Sequence, residues 1–401
     1  MRLCSIGLVC LFIACSPQQE VNDIDLEDST WSAVEEKASG TTVSMMMWTG
    51  DPLINNYMNG YVKPKVKKQF NIDLEISTGQ GGNIVTYAVA QNQTGKRGII
   101  DMVWINGETF YQLRQLKALY GPFTKHLPSN EYVDWENPFI ANDFQQPVEG
   151  YEAPWGNVQM TLIYDEAKVT EPPRNRAELL QWVKTNPGRF TIPTEFAGLT
   201  FLKSLLIDFA GGGHTLNGAF DEEKYQKYSK ELWKYLNEIK PYFWKQGETF
   251  PETVAQMHQM FANGELWFTI SNNDAEVDNK IAEGLFQPSA KGYVMDFGSI
   301  QNSHYLGVLN SGRNQAGALT VINFLQTPEA QFEKAQPQAW GDGTVLKIEA
   351  LPELWRKRFN QIPGRKRAPD RVDLQEKALE ELAPEYMIRI NEDFRTFVIE
   401  K

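Results

Sequence analysis

The chain has 401 residues and a formal net charge of -12, from 51 acidic and 39 basic side chains. That balance excludes a nucleic-acid binder, which needs Lys and Arg clustered against a phosphate backbone; the longest basic stretches, Lys63 to Lys68 and Arg356-Lys357-Arg358, are short and read as solvated helix faces. Past Gly40 about 360 residues remain, well above one typical domain, so two lobes with separate cores are expected.

At the N-terminus, Arg2, a short apolar run and small Ala14 before Cys15 form a signal peptide. A membrane span would need about 20 apolar residues, and polar Ser16, Gln18 and Gln19 follow at once. Phe12-Ile13-Ala14-Cys15 resembles the lipobox of bacterial lipoproteins, with Phe12 where Leu is usual. The resemblance implies a lipoprotein signal over residues 1–15, acylation of Cys15, and a periplasmic protein anchored to a bacterial membrane. Ser16 lacks the Asp that commonly retains lipoproteins in the inner membrane, which leaves the choice of membrane open. Cys4 and Cys10 lie within the leader, so no thiol follows Cys15, and disulfides, thiolate metal sites and cysteine nucleophiles are excluded from the mature domain. Residues 16–41 are acidic and polar, as expected of a tether, with folding starting near Thr42.

From Thr42 to Trp48 the sequence reads as a buried strand, closed by Thr49-Gly50-Asp51-Pro52, whose proline suits the first turn of a helix. A second strand is predicted from Ile72 to Ile76, then the loop from Thr78 to Asn83 and a helix from Ile84 to about Asn92. Ile99 to Trp104 forms a third short apolar run, ending in Ile105-Asn106-Gly107-Glu108 and a helix. Strand and helix thus alternate three times, which implies parallel crossovers with ligand-binding loops at the carboxyl ends of the strands.

Pro154 to Asp165 is longer than a typical strand and can run from one lobe into another. Arg189 to Pro193 is read as the first strand of the second lobe, opening into Thr194-Glu195-Phe196 and a helix. Glu222 to Lys240 and Thr253 to Ala262 read as surface helices, Leu266 to Ile270 as a strand with Trp267 in the core, and Ala318 to Leu325 as a helix stopped before Pro328.

Three features in order carry a family likeness: Trp48-Thr49-Gly50-Asp51 after the first strand, Gly264 to Ser271 before a polar loop, and Ala318 to Gln331, with Phe324-Leu325-Gln326-Thr327-Pro328-Glu329-Ala330-Gln331 at its end. Together they resemble the extracellular solute-binding proteins of bacterial ABC importers, in a branch allied to thiamine, polyamine and iron binders, over roughly Thr42 to Thr344. The resemblance implies an α/β fold of the type II periplasmic-binding-protein class, two lobes around a ligand cleft. It implies hinge crossings near Asn157, Ser271 and Arg313, so that 42–156 and 271–312 form lobe one, and 157–270 and 313–401 form lobe two. It further implies a monomer that delivers a small solute to an importer permease, with neither cofactor nor catalysis.

The loops after the strands mark the candidate ligand-binding residues: Trp48, Thr49, Asp51, Gln80, Gly81, Trp104, Asn106, Glu108, Thr194, Glu195, Ser271, Asn272 and Asn273, joined by Trp155 at the start of the crossing strand. Flat apolar faces beside a few polar groups are what a small-molecule pocket requires. Three tryptophans near Asp51, Asp101, Glu108, Glu152, Glu195 and Asp274 favour a cation, which points to a thiamine-like or polyamine-like solute. For any single acid, helix capping or solvation is the commoner role. His126, His214, His258 and His304 are too far apart for metal-ligand spacing, and Tyr225 and Tyr228 share a helix face in the manner of packing residues. The rival reading is a carbohydrate-active or other surface enzyme using two carboxylates and tryptophan platforms, for which no pair of acids has a defined spacing.

Overall fold

The computed structural model describes residues 23–401, so Cys15 and the leader lie outside the described residues. Its first strand, β1 (Thr42–Met47), alternates half-buried and buried positions, with Val43, Met45 and Met47 turned into the core. Parallel to it on either side run β2 (Asp73–Thr78) and β3 (Met102–Ile105). Helices over Pro52–Asn56, Lys63–Phe70 and Gly82–Thr94 make the two crossovers. The alternation read along the first third of the chain is therefore a parallel half-sheet, whose carboxyl edge carries Trp48, Gln80 and Asn106.

The sheet is completed by strands from far along the chain. Short β4 (Leu119–Tyr120) and a two-rung hairpin, β5 (Asn142–Asp143) with β6 (Gln146–Pro147), precede β7 (Glu152–Gln159). Met160 alone separates β7 from β8 (Thr161–Asp165), yet the two belong to different sheets. Strand β8 lies between β9 (Phe268–Ser271) and β10 (Ala290–Tyr293), antiparallel to both. The long β11 (Ser299–Leu309) then pairs antiparallel with β3, β4 and β7, and parallel with β12 (Ala378–Leu379). Helices Phe196–Phe209, Glu222–Ile239 and Pro384–Phe394 bury the smaller sheet in its own core, built on Leu205, Leu232, Phe268 and Tyr386. No helix among the described residues is long and apolar enough to cross a membrane.

Four features depart from the sequence reading. The expected tether contains a helix, Trp31–Ala38, capped by the Thr30 hydroxyl, whose Val34 and Ala38 are buried in the core that also holds Leu319 and Ile322. Acidic neighbours mask that apolar stripe in the mean composition. Residues 189–193 form no strand: Arg189 and Phe190 accept hydrogen bonds from Trp267 and Trp244, and Pro193 has no N–H to extend a ladder. Trp267 precedes β9, only partly buried, with Trp182 on one side and the Arg189 guanidinium 5.3 Å from its ring.

The fourth departure concerns where the chain changes sheets. The helix Glu276–Ala282 buries Val277 in one cluster with Ile163 and Ala290, so the segment after Ser271 stays with the smaller sheet, and the chain returns between Tyr293 and Ser299. Helices Gln315–Leu325 and Pro328–Ala335 pack with Val43, Met45 and Trp155 of the larger sheet, where the sequence division had put 313–401 with the second lobe. The helix Gln315–Leu325 is apolar nearly all round, which states that it is buried but not against which sheet. Val345, Leu346 and Leu351 join Val133 and Ile140, and beyond them the tail goes over to the smaller sheet: Arg367 donates to the Ala290 carbonyl at 2.8 Å, and Tyr386, Met387 and Ile390 enter the core around Phe268.

Candidate functional site

A cleft of about 1280 Å³ opens between the two sheets. One wall is the carboxyl edge of the parallel half-sheet. Trp48 follows β1, and three residues on the Asp51 carboxylate accepts from the N–H groups of Leu53 (2.8 Å) and Ile54 (3.1 Å), capping the following helix. Gly81 takes φ +45°, which favours glycine, and turns the chain into the helix Gly82–Thr94. At Gly107 a Cβ would stand 1.9 Å from the Phe144 ring, so only glycine lets the helix bearing Glu108 start this close to its neighbour.

Aromatic rings build the floor. Trp104 meets Trp48 edge-on at 6.5 Å, Trp155 edge-on at 5.0 Å and Trp340 at 5.8 Å, while His304 stacks on Trp340 at 5.5 Å with 12° between planes. His304 Nε2 lies 3.1 Å from Asp342 Oδ2, and the same carboxylate pairs with the fully buried Lys334. Burial alone would raise the Asp342 carboxyl, but the Lys334 ammonium and His304 outweigh it and hold it below the usual range. Lys334 also donates to the Gly343 carbonyl at 2.8 Å. This ionic triad fixes the loop that carries Trp340.

Facing it, the smaller sheet supplies the end of β9 and the helices beside it. Ser271 Oγ accepts from the Asn273 N–H at 3.0 Å, and Asn273 Nδ2 donates to Glu276 at 3.2 Å. Glu195 accepts from the Val254 N–H. The Lys280 ammonium, only 4% exposed, reaches across the cleft to Asp51 at 2.6 Å and also meets Glu283 at 3.1 Å and Glu276 at 3.3 Å. Burial, eased by Lys280, pushes Glu276 up to about 7, and burial together with the Lys280 charge takes His258 down to about 4.

Of the fourteen residues predicted for the site, twelve line this cleft: Trp48, Asp51, Gln80, Gly81, Trp104, Asn106, Glu108, Thr194, Glu195, Ser271, Asn272 and Asn273. Trp155 is fully buried behind Trp104 and buttresses it. Thr49 is directed elsewhere: its hydroxyl pairs with that of Thr78 at 2.7 Å and its carbonyl accepts from Asn55 at 3.0 Å. Three acids counted near the rings are away from the cleft lining. Asp101 accepts from the N–H groups of Ser44, Arg313 and Asn314, Asp274 pairs with Arg365, and Glu152 is fully buried. Sequence reasoning passed over His258, Lys280, His304, Trp340, Glu276 and Glu283, which all line the cleft. None of them follows a strand of the parallel half-sheet, so the rule of loops at strand ends does not reach them.

Besides His304 Nε2, which faces Asp342, Glu108 Oε2 and Asn272 Oδ1 in the lining are shielded and have no hydrogen-bond partner among the described residues. Burial raises the Glu108 carboxyl to about 7. Among the described residues no group of three or more His, Cys, Asp or Glu is arranged to hold a metal ion. Tyr225 donates to Asp393 and packs on Phe220 and Tyr386, outside the cleft.

Residues 61–358 match the family described as bacterial extracellular solute-binding protein. The chain is 33% identical over 366 residues to Protein YnjB of Escherichia coli (strain K12), covering 89% of this chain and 91% of that protein. Among solved structures it is similar to the spermidine/putrescine substrate-binding protein PotD from Streptococcus pneumoniae strain Canada MDR_19A, with TM-score 0.59, 14% identity and coverage of 89% and 98% of the two chains. It is similar as well to a periplasmic thiamin binding protein, with TM-score 0.61, 13% identity and coverage of 89% and 96%. At these identities the structural likeness establishes the fold, the two-lobe periplasmic-binding-protein type II architecture expected from the sequence.

Proposed function

This chain belongs to the family of bacterial extracellular solute-binding proteins, which are carriers and not enzymes, and we propose that it captures a cationic organic solute in the cleft between its two sheets for delivery to an ABC importer. The observation that carries this reading is the charge of the lining. Among the described residues, six carboxyl groups line the cleft, from Asp51, Glu108, Glu195, Glu276, Glu283 and Glu392, against the single ammonium of Lys280. Lys280 is already engaged by Asp51, Glu276 and Glu283, while Glu108, in the same lining as Trp48 and Trp104, keeps one carboxylate oxygen without a hydrogen-bond partner among the described residues. A cation over Trp48 and Trp104 gains from the ring faces and from this carboxylate together. Thiamine-like and polyamine-like solutes both meet that description, and the named ligands of the two structural neighbours are compatible with it.

Closure of the two bodies around the solute supplies the signal the importer reads, since a ligand that bridges both walls stabilises the closed form in proportion to its differential contacts. The ligand-binding set is the twelve lining residues above, with Trp155 holding Trp104 in place. Calorimetry of the purified protein against hexyltrimethylammonium and a panel of neutral sugars tests the reading; tight binding of a neutral sugar alone overturns it.

Affinity should also depend on pH with a defined sign. Glu108 is ionised above about pH 7 and neutral below it, so the cation site is complete at alkaline pH and loses its charge as pH falls. Between pH 8 and pH 6 the ionised fraction drops about tenfold, and the apparent Kd for hexyltrimethylammonium should weaken by the same factor. Glu108→Gln should bind weakly and flatten that profile; a slope that persists in the variant assigns the effect to another group.

We also propose that Cys15 is acylated and tethers the carrier to a bacterial membrane, on the strength of the lipobox-like Phe12-Ile13-Ala14-Cys15. Cys15→Ser should move the protein from the membrane fraction into the soluble fraction on cell fractionation. Unchanged membrane retention would remove the anchor from the model.

A further inference from the structure

We propose that Lys280 is an internal cation seated in what would otherwise be a second ammonium site, and that it restricts the solute to a single positive charge. The inference rests on the cationic-solute reading and divides its two candidate classes: polyamines are rejected, and a monocation with a large uncharged body is accepted.

Three carboxylates converge on the Lys280 ammonium at 2.6, 3.1 and 3.3 Å, from Asp51, Glu283 and Glu276. Charge-assisted bonds from several oxygens to one ammonium are also how a primary amine of a polyamine would be held. The acids line the same cleft as Trp48, and Asp51 follows that ring by three residues in one loop.

Two of the three acceptors are held by bonds of their own. Asp51 spends Oδ1 capping the helix Pro52–Asn56 and turns Oδ2 to Lys280. Glu276 is held by Asn273 Nδ2 at 3.2 Å. Removing Lys280 would therefore uncover a formed pair of carboxylates, Asp51 and Glu276, with Glu283 beside it. With Lys280 present, a second ammonium on the solute meets a positive charge and finds its partners already used. The site beside Glu108 then takes the one charge of the solute, and the remainder of a cleft of about 1280 Å³ is left for uncharged groups.

The test uses Lys280→Ala and Lys280→Gln, with spermidine, n-butylammonium and hexyltrimethylammonium as probes. Wild type should bind hexyltrimethylammonium and not spermidine, while both variants should gain at least about tenfold in spermidine affinity, as one or more restored charge-assisted bonds provide. n-Butylammonium replaces the deleted side chain and should raise the Tm of Lys280→Ala but not of wild type. If Lys280→Ala fails to fold, Lys280→Gln, which keeps most of the side-chain volume, carries the spermidine measurement. Equal spermidine affinity in wild type and variants, with hexyltrimethylammonium binding intact, overturns the role of Lys280 alone. Absence of cation binding in wild type and variants alike overturns the cationic-solute reading and this inference with it.

Discussion

Replacing Trp104 with alanine should produce the largest loss of affinity of any single change in the cleft, about 2 kcal/mol or some thirtyfold in Kd for a bound cation. Trp104 is the centre of the aromatic floor, in contact with the rings of Trp48, Trp155, Trp340 and His304. Its removal takes away the π-face and lets the rings it separates shift. The same substitution should cost stability, about 3 kcal/mol, at the lower end for Trp→Ala because the side chain is only partly buried. Trp48→Ala makes a useful contrast. Trp48 touches one of these rings, Trp104, so its loss should weaken binding by a similar order with a smaller effect on unfolding. Calorimetry and urea unfolding on both variants separate the two effects, and an unchanged Kd in both would dissociate the aromatic floor from binding.

Lys334→Met should cause the largest loss of stability, about 3 to 5 kcal/mol, read as a shift of the urea midpoint. Both Lys334 and Asp342 are fully buried, so removing the ammonium strands a carboxylate in the core. The double variant Lys334→Met/Asp342→Leu should recover much of that loss, because it leaves no buried charge unpaired. A single variant as stable as wild type would mean that the triad is ornamental. The pH dependence has a definite direction as well. Asp342 titrates below its ordinary value in the folded protein, so its contribution is complete above the unfolded carboxyl pKa near 4 and disappears as pH falls through the lower folded value. Acid should therefore release Trp340 and His304 along with the triad.

Much of one wall of the cleft is legible from the sequence, and much of the other is not. Trp48, Gln80, Asn106 and Glu108 follow strands in a simple strand-helix alternation, and a parallel half-sheet collects such loops at one edge without further information. His304 and Trp340 belong to no such loop. His304 lies within β11, which enters the sheet antiparallel from nearly two hundred residues downstream of β3, and Trp340 follows the helices Gln315–Leu325 and Pro328–Ala335, whose sequences name no partner sheet. Lys280 looks like a solvated helical lysine in sequence. Its burial depends on Asp51, 229 positions away, which joins Glu276 and Glu283 of its own segment around the ammonium. The misassigned boundaries share this cause, since a change of sheet within an extended segment leaves no mark in residue pattern. The helix Trp31–Ala38 is a different case: its buried positions Val34 and Ala38 are too few to lift a strongly acidic stretch above the composition of a linker.

The change of sheet at Met160 also has a mechanical consequence. As β7 gives way to β8, β11 runs alongside, with Gln301 opposite Gln159 and the Met160 N–H bonded to the Ile300 carbonyl at 3.0 Å. The two bodies are thus joined there by a paired ribbon and not by a loose single strand. Such a ribbon resists sliding, because sliding breaks every rung of its ladder at once, but it twists at little cost. For the closure proposed above, this favours rotation of one body against the other about the ribbon's long axis over translation, which would keep the groups that meet across the cleft in register.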